Sequence, residues 1–378
     1  MTNTNKIFAH VINNMSIKHR LLVVFSIIIL IPVILTGCTQ NPIKIEGGSG
    51  PVIDNNGTIY LSTADGKIVA INPENGQTIW QFPLVNSELD FKGIIGAPAV
   101  KDNTVYFGSY DGKVYALDAG TGLEKWQYPS DATFIGAIIG TPFVYEDTLL
   151  VGSTDGNLYA LEVSTGKARW LKPFKTNDKI WATPVVYNNI IYIGSSDDNL
   201  YAVDLISGSE LWSFSTQGAI IGSAVISDGI VYFGSFDGYL YAVSTDGELQ
   251  WKYEGKDWFW AHPLIAGDLI YAGCSNGNLY ALNIKDGVQK WVFSTSDIIR
   301  SAPVIIGETL VISSVDGNIY VRNSATGAKI REFSLGKPIF DPIAVDGNIL
   351  YIHSTEQILY ALNTETGELR VVCSFNTK

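Results

Sequence analysis

Residues 110–126 read YDGKVYALDAGTGLEKW, and residues 154–170 read TDGNLYALEVSTGKARW. Both carry an Asp-Gly turn, a short apolar strand containing Tyr-Ala-Leu, a second turn ending in Gly, and a Trp four residues after that Gly. A unit that returns at a fixed interval cannot bury its apolar faces alone, so the chain reads as an array of stacked copies.

Counting outward by the position four residues after the turn Gly gives Trp80, Trp126, Trp170, Trp212, Trp251 and Trp291, then Arg331 and Val371, or eight copies. Their spacing falls from 46 residues to 39 or 40, the size of a four-stranded blade. Each unit opens beside a proline (Pro51, Pro98, Pro142, Pro184, Pro263, Pro303 and Pro342), with Ala224 in the remaining unit. A second strand follows, such as Ile191-Tyr192-Ile193-Gly194, then the Asp-Gly turn, the third strand, and the fourth strand with the Trp. Near-continuous apolar strands with Gly, Ala and Ser interspersed suit sheets covered on both faces. The fold expected is all-β, an eight-bladed β-propeller of four-stranded antiparallel blades over residues 51–378.

The 378 residues carry a formal charge of −12. Residues 1–37 hold Lys6, Lys18 and Arg20 and no carboxylate, so from Cys38 onward 22 cationic residues face 37 acidic ones, a balance of −15. Such a body repels phosphate backbones, which argues against nucleic-acid binding. Cys38, Cys274 and Cys373 match no metal or haem spacing, and the last two read as small, unpaired residues.

Residues 21–35, LLVVFSIIILIPVIL, follow a basic stretch and precede Leu35-Thr36-Gly37-Cys38. The run is short for a transmembrane anchor and contains Pro32, and it ends in small residues as secretory signals do. Leu-Thr-Gly-Cys resembles the lipobox of bacterial lipoproteins, which implies a signal peptide over 1–37, lipidation of Cys38 and a tether over 38–50. Met15 would start a signal of more ordinary length than Met1. The 13-residue tether would hold the body within roughly 45 Å of a membrane, and two or more acyl chains make such attachment stable. An extracytoplasmic location follows, at the cell membrane, or at an outer membrane where the cell has one.

The repeat itself, an aromatic-Ala-Leu-Asp strand end joined to Thr-Gly and a Trp, resembles the pyrroloquinoline-quinone (PQQ)-type propeller family over residues 51–378. That resemblance implies that Trp80, Trp126, Trp170, Trp212, Trp251 and Trp291 each dock between neighbouring blades. Arg331 and Val371 depart from it, which marks the closure with blade 1 as the weakest seam; Ile43-Lys44-Ile45 is a candidate closing strand there.

Chemistry is sparse. Asp65, Asp111, Asp155, Asp197, Asp237 and Asp316, with Asn276 and Glu356, could form an acidic ring for cations, but Asp-Gly and Asn-Gly also supply the positive φ that tight hairpins require. Beyond residue 38 only His262 and His353 remain, neither beside a nucleophile motif, so no catalytic residue, metal site or cofactor is expected. The informative residues lie in the connections between blades. Trp181, Trp258 and Trp260 fall outside the repeat position. Trp181 and Trp260 stand three before the proline, where other units have Ile95, Ile139, Ile221, Arg300 and Ile339; His262 and Asp341 stand just before it, where Ala97, Thr141, Thr183, Ser223 and Ala302 are usual. Marker-to-proline distances of 18, 16, 14, 12, 12, 12 and 11 also lengthen the first three connections. Trp181, Trp258, Trp260, His262, Arg300 and Asp341 thus form a candidate partner or ligand rim around the channel mouth, either as interface anchors or as a structural plug.

Lipidation joined to this propeller type is similar to the BamB-like lipoproteins of the machinery that inserts outer-membrane β-barrels. The resemblance implies a non-catalytic scaffold, monomeric within a complex, whose partner is another membrane or extracytoplasmic protein. Two rival classes stay in view: a quinoprotein dehydrogenase binding PQQ and Ca²⁺, whose usual vicinal Cys pair this chain lacks, and a sensor of a small ligand or carbohydrate.

Overall fold

The computed structural model describes residues 49–84 and 93–375. Within them the chain forms eight four-stranded antiparallel sheets, at 52–82, 99–128, 143–175, 185–215, 225–254, 264–294, 304–334 and 344–374, hereafter blades 1 to 8. In every blade the strands pair in sequence order, and no helix occurs among the described residues. The eight-bladed propeller expected from the repeat is the observed fold. The signal segment 1–37, Met15, Cys38, residues 39–48 of the tether and the candidate closing strand Ile43-Lys44-Ile45 lie outside the described residues.

The core sits between blades. In blade 4, Tyr201 and Val203 pack with blade 3, while Leu200 and Ala202 pack with blade 5. Successive strand residues point to opposite faces, and here both faces meet a neighbouring sheet. This explains why the third strands are apolar without alternation. Eight such inter-blade cores close the ring, the last one joining Ile59, Leu61, Val69 and Ile71 of blade 1 to Leu359, Ala361 and Val372 of blade 8. First strands of adjacent blades approach one another, as in blades 1 and 8, 2 and 3, and 5 and 6, whereas the fourth strands lie at the exposed rim of the ring.

The repeated Trp residues bridge each blade to the next. The indole Nε1–H of Trp80, Trp126, Trp170, Trp212, Trp251 and Trp291 donates to a turn carbonyl of the following blade, at Ala119, Val163, Leu205, Thr245, Ile284 and Ser324, over 2.7–3.2 Å. Each ring also lies against that turn's glycine. A Cβ on Gly122 would fall 2.6 Å from Trp80, and one on Gly287 would fall 2.6 Å from Trp251. These glycines have φ near +70° as well, so the turn and the indole both demand a residue without a side chain.

Two blades use arginine instead. Arg331 of blade 7 lies against Gly367 of blade 8, its Nη1 3.0 Å from where a Cβ would be. In blade 8 the residue paired with Ala361, the partner position of the repeat Trp in blades 1, 2, 4, 5 and 6, is Arg370 and not Val371, because the bulge falls two residues earlier in the third strand. Val371 therefore points to solvent, half exposed. Arg370 donates from Nη2 to the Pro73 carbonyl of blade 1 at 2.7 Å, the turn position that accepts from Trp elsewhere. The seam is further joined by Ala64 N–H to Gln357 Oε1 at 2.8 Å and by His353, whose Nδ1 lies 3.1 Å from the Ser49 carbonyl oxygen. Blade 8 draws no strand from the other end of the chain among the described residues.

Candidate functional site at the mouth of the ring

Each connection between blades crosses the face that carries the Asp-Gly turns. Thr216 shows how it is held: its hydroxyl donates to the carbonyls of Asp198 and Gly218 at 2.9 and 2.7 Å, and Thr176 and Thr295 make the equivalent pairs. The chain then buries one apolar anchor, Ile94, Ile138, Ile180, Ile220, Phe259, Ile299 or Ile339, against the glycine or serine ending the second strand of the preceding blade. A Cβ on Gly108 would lie 2.0 Å from Ile138. The next residue lies at the mouth, half-buried in each connection except at Ile221, which is buried.

That residue is Ile95, Ile139, Trp181, Ile221, Trp260, Arg300 and, in blade 8, Phe340. Counting back from the proline misplaces the last connection. The first strand of blade 8 starts at Ala344, two residues after Pro342, whereas Leu264 and Val304 directly follow Pro263 and Pro303. Ile339 is accordingly the buried anchor, and Asp341 matches Ser301 and Ala261 in place of His262. The longer connection after blade 3 is also not a mouth feature. Its extra residues interrupt the outer strand between Trp170 and Phe174, leaving Leu171 fully exposed on the side of the ring.

Four of the six rim candidates come together. Phe236, from the turn of blade 5, stacks on Trp258 with centroids 4.7 Å apart and planes 10° apart, and meets Trp260 at 5.2 Å. The Arg300 guanidinium carbon lies 4.6 Å from the Trp260 ring and 5.4 Å from Phe340. A ladder Trp258, Phe236, Trp260, Arg300, Phe340 thus runs across blades 5 to 8. Asp341 stands near enough to Arg300 for its charge to be felt; burial pushes its carboxyl up to about 7, the guanidinium drawing it part of the way back. Loss of water likewise holds the Arg300 guanidinium below its ordinary range, with Asp341 opposing.

Trp181 and His262 stand apart. Trp181 makes no ring contact with the ladder, and its buried Nε1 has no hydrogen-bond partner among the described residues. His262 is open to solvent, and the protein crowding it pushes its imidazole below the usual range. Sequence reasoning missed Phe236 and Phe340. The first could have been noticed because it precedes the turn Asp where other units have Ala64, Tyr110, Thr154, Ser196, Ser275, Val315 and Thr355.

The turn carboxylates are occupied by the protein's own donors. Asp237 accepts the Tyr241 hydroxyl at 2.6 Å and the Gln217 N–H at 3.0 Å on one oxygen, and the Tyr239 N–H at 3.1 Å on the other. Asp111, Asp155, Asp197 and Asp316 accept their own tyrosines at 2.6–2.8 Å. No cluster of three His, Cys, Asp or Glu able to hold a metal occurs among the described residues. Cys274 takes the place of the serines in this turn, its buried thiol pushed up to about 12 and directed at the Asp257 carbonyl at 3.2 Å. Cys274 and Cys373 are both free. The mouth offers flat rings and one guanidinium, a chemistry of binding.

The family profile described as outer membrane protein assembly factor BamB matches residues 36–213 and 196–339. No curated protein sequence matches the chain. Among solved structures, BamB from Moraxella catarrhalis superposes with a TM-score of 0.67 at 21% identity, over 85% of this chain and 97% of that one. The computationally designed Ika8 protein gives 0.68 at 20% identity, over 86% and 96%. A quinohemoprotein alcohol dehydrogenase from Comamonas testosteroni gives 0.66 at 14% identity, over 88% of this chain and 76% of that enzyme. At these identities each likeness speaks for the fold alone.

Proposed function

The chain belongs to the BamB family of PQQ-type β-propellers, and from that premise we propose that it is a non-catalytic scaffold, tethered to a membrane through lipidated Cys38, that presents its mouth to another extracytoplasmic or membrane protein. The observation that carries this reading is the aromatic ladder. Folding of the repeat needs only one buried anchor per connection, and isoleucine suffices at the following position in blades 2, 3 and 5. Blades 6 to 8 place Trp260, Arg300 and Phe340 there, joined by Phe236 and Trp258, all half-buried on the same face. Large aromatics and arginine that the fold does not require are the residues that anchor interfaces.

Photo-crosslinking in native membranes tests this directly. A reactive residue replacing His262, exposed at the mouth beside the ladder, is expected to capture one discrete protein, while the same residue replacing Leu249 on the outer strand captures none. Equal labelling from both positions, or none from position 262, contradicts the scaffold reading. Cys38→Ser should release the protein from the membrane fraction. The fold is shared with quinohemoprotein dehydrogenases, so added PQQ and Ca²⁺ provide the opposing test: a saturable change in the quinone absorption would favour the enzyme class.

A further inference from the structure

Two arginines in this propeller each lie over two aromatic rings, and they differ in what their donors meet. Arg322, 4% exposed, lies 4.1 Å from the Phe293 ring and 5.4 Å from Tyr320, and its edge is taken by the Glu332 carboxylate and the Val321 carbonyl. Arg300 has the same covering, with Trp260 at 4.6 Å and Phe340 at 5.4 Å, but no hydrogen bond or ion pair to any described residue. A guanidinium packed over aromatic rings keeps its N–H donors free for partners beside the rings. A half-buried cation with unpaired donors is costly unless something accepts from them. Packing of the Trp260 and Phe340 rings against the guanidinium restricts its movement, which lowers the cost of ordering it on an anion.

We propose that Arg300 anchors a binding site for a small, singly charged carboxylate ligand, a free organic acid or an acidic sugar. Geometry favours carboxylate, since its two oxygens match two parallel donors of a fixed guanidinium edge. Charge sets the limit. Arg300 is one cation facing Asp341 in a body whose balance from Cys38 onward is −15, so a doubly charged phosphate would bring more negative charge than the site offsets. The Trp260 and Phe340 rings are taken up by the guanidinium, so the ligand meets its free donors. The site shares its residues with the ladder of the scaffold reading, but its test needs no protein partner.

Titration calorimetry on the whole propeller, followed in parallel by tryptophan fluorescence, tests the proposal with galacturonate, lactate, glucose, inorganic phosphate and an acidic peptide as probes. Saturable binding of galacturonate or lactate, at least ten-fold tighter than of glucose or phosphate, is expected; tighter lactate would identify a free organic acid as the source and tighter galacturonate an acidic sugar. Arg300→Gln and Arg300→Lys should each weaken it by ten-fold or more, the lysine lacking the planar fork. Asp341→Asn leaves both rings in place, removes the neighbouring negative charge and should tighten binding. No saturable binding of any small carboxylate, unchanged affinity in Arg300→Gln, phosphate binding as tightly, or binding of the acidic peptide alone would each overturn the proposal.

Discussion

The seam between blades 8 and 1 should fail first in acid, and His353 supplies the reason. It occupies the strand end that is glycine in blades 2 to 6, and among the described residues it packs where Ser49 and Gly50 lead into blade 1. Its ring is 2% exposed, Nδ1 faces the Ser49 carbonyl, and Nε2 has no partner among the described residues. Burial lowers its pKa from 6.5 to about 4, against a smaller opposing effect of the Ser49 contact. A depressed folded pKa means that the neutral form is favoured in the fold: the stability is fully present above pH 6.5 and is lost progressively as pH falls toward 4. Linkage gives about 2.5 kcal/mol lost between pH 7.5 and pH 4.5 from this group. Urea unfolding at the two pH values, for the native chain and for His353→Gln, isolates the effect, since other titrating groups cancel in the difference when they are distant. The native chain should lose about 2.5 kcal/mol more than the variant. Equal losses would refute a neutral, buried His353.

Other consequences follow from single contacts. Trp251→Ala removes an indole from an inter-blade core together with its hydrogen bond to Ile284 and should cost about 3 kcal/mol in denaturant unfolding, whereas Arg370→Ala, losing mainly one charge-assisted bond to Pro73, should cost roughly 1–2 kcal/mol. Glu332→Gln leaves Arg322 buried without its counter-charge and should destabilise by about 3 kcal/mol in the same assay. Chelation with EDTA should leave the melting temperature unchanged, because the turn carboxylates already accept from Tyr hydroxyls and connection N–H groups; a marked drop would show that cations hold the turns.

The fold was legible because the residues that write it are those the repeat cannot vary. The turn glycine meets an indole, the Asp meets its Tyr, and the third strand faces two neighbours, so each blade restates the same constraints. The exceptions were harder to place. Arg370 and Phe340 were missed for one reason: a bulge moved by two residues in the third strand of blade 8, and a first strand starting two residues after Pro342, shift the count without altering the motif. Spacing from a marker residue cannot register such slips, since they are set by pairing across strands. The rim was partly legible. Trp258, Trp260 and Arg300 stood out as departures, but their stacking through Phe236 depends on a turn more than twenty residues away in sequence, and Trp181 belongs to the same rim position without joining the ladder.

One paired measurement weighs the central claim, that the repeated residues build the ring and the residues breaking the repeat at the mouth carry its function. Trp258→Ala with Phe236→Ala, compared with Trp251→Ala, should be assayed for capture of the crosslinked partner and for melting temperature on the same preparations. The account predicts that the mouth pair loses capture while melting shifts little, and that Trp251→Ala lowers melting while the remaining folded protein still captures. A mouth pair that melts far lower, with capture intact in the folded fraction, would show that the ladder is a plug holding the ring together and would contradict the account.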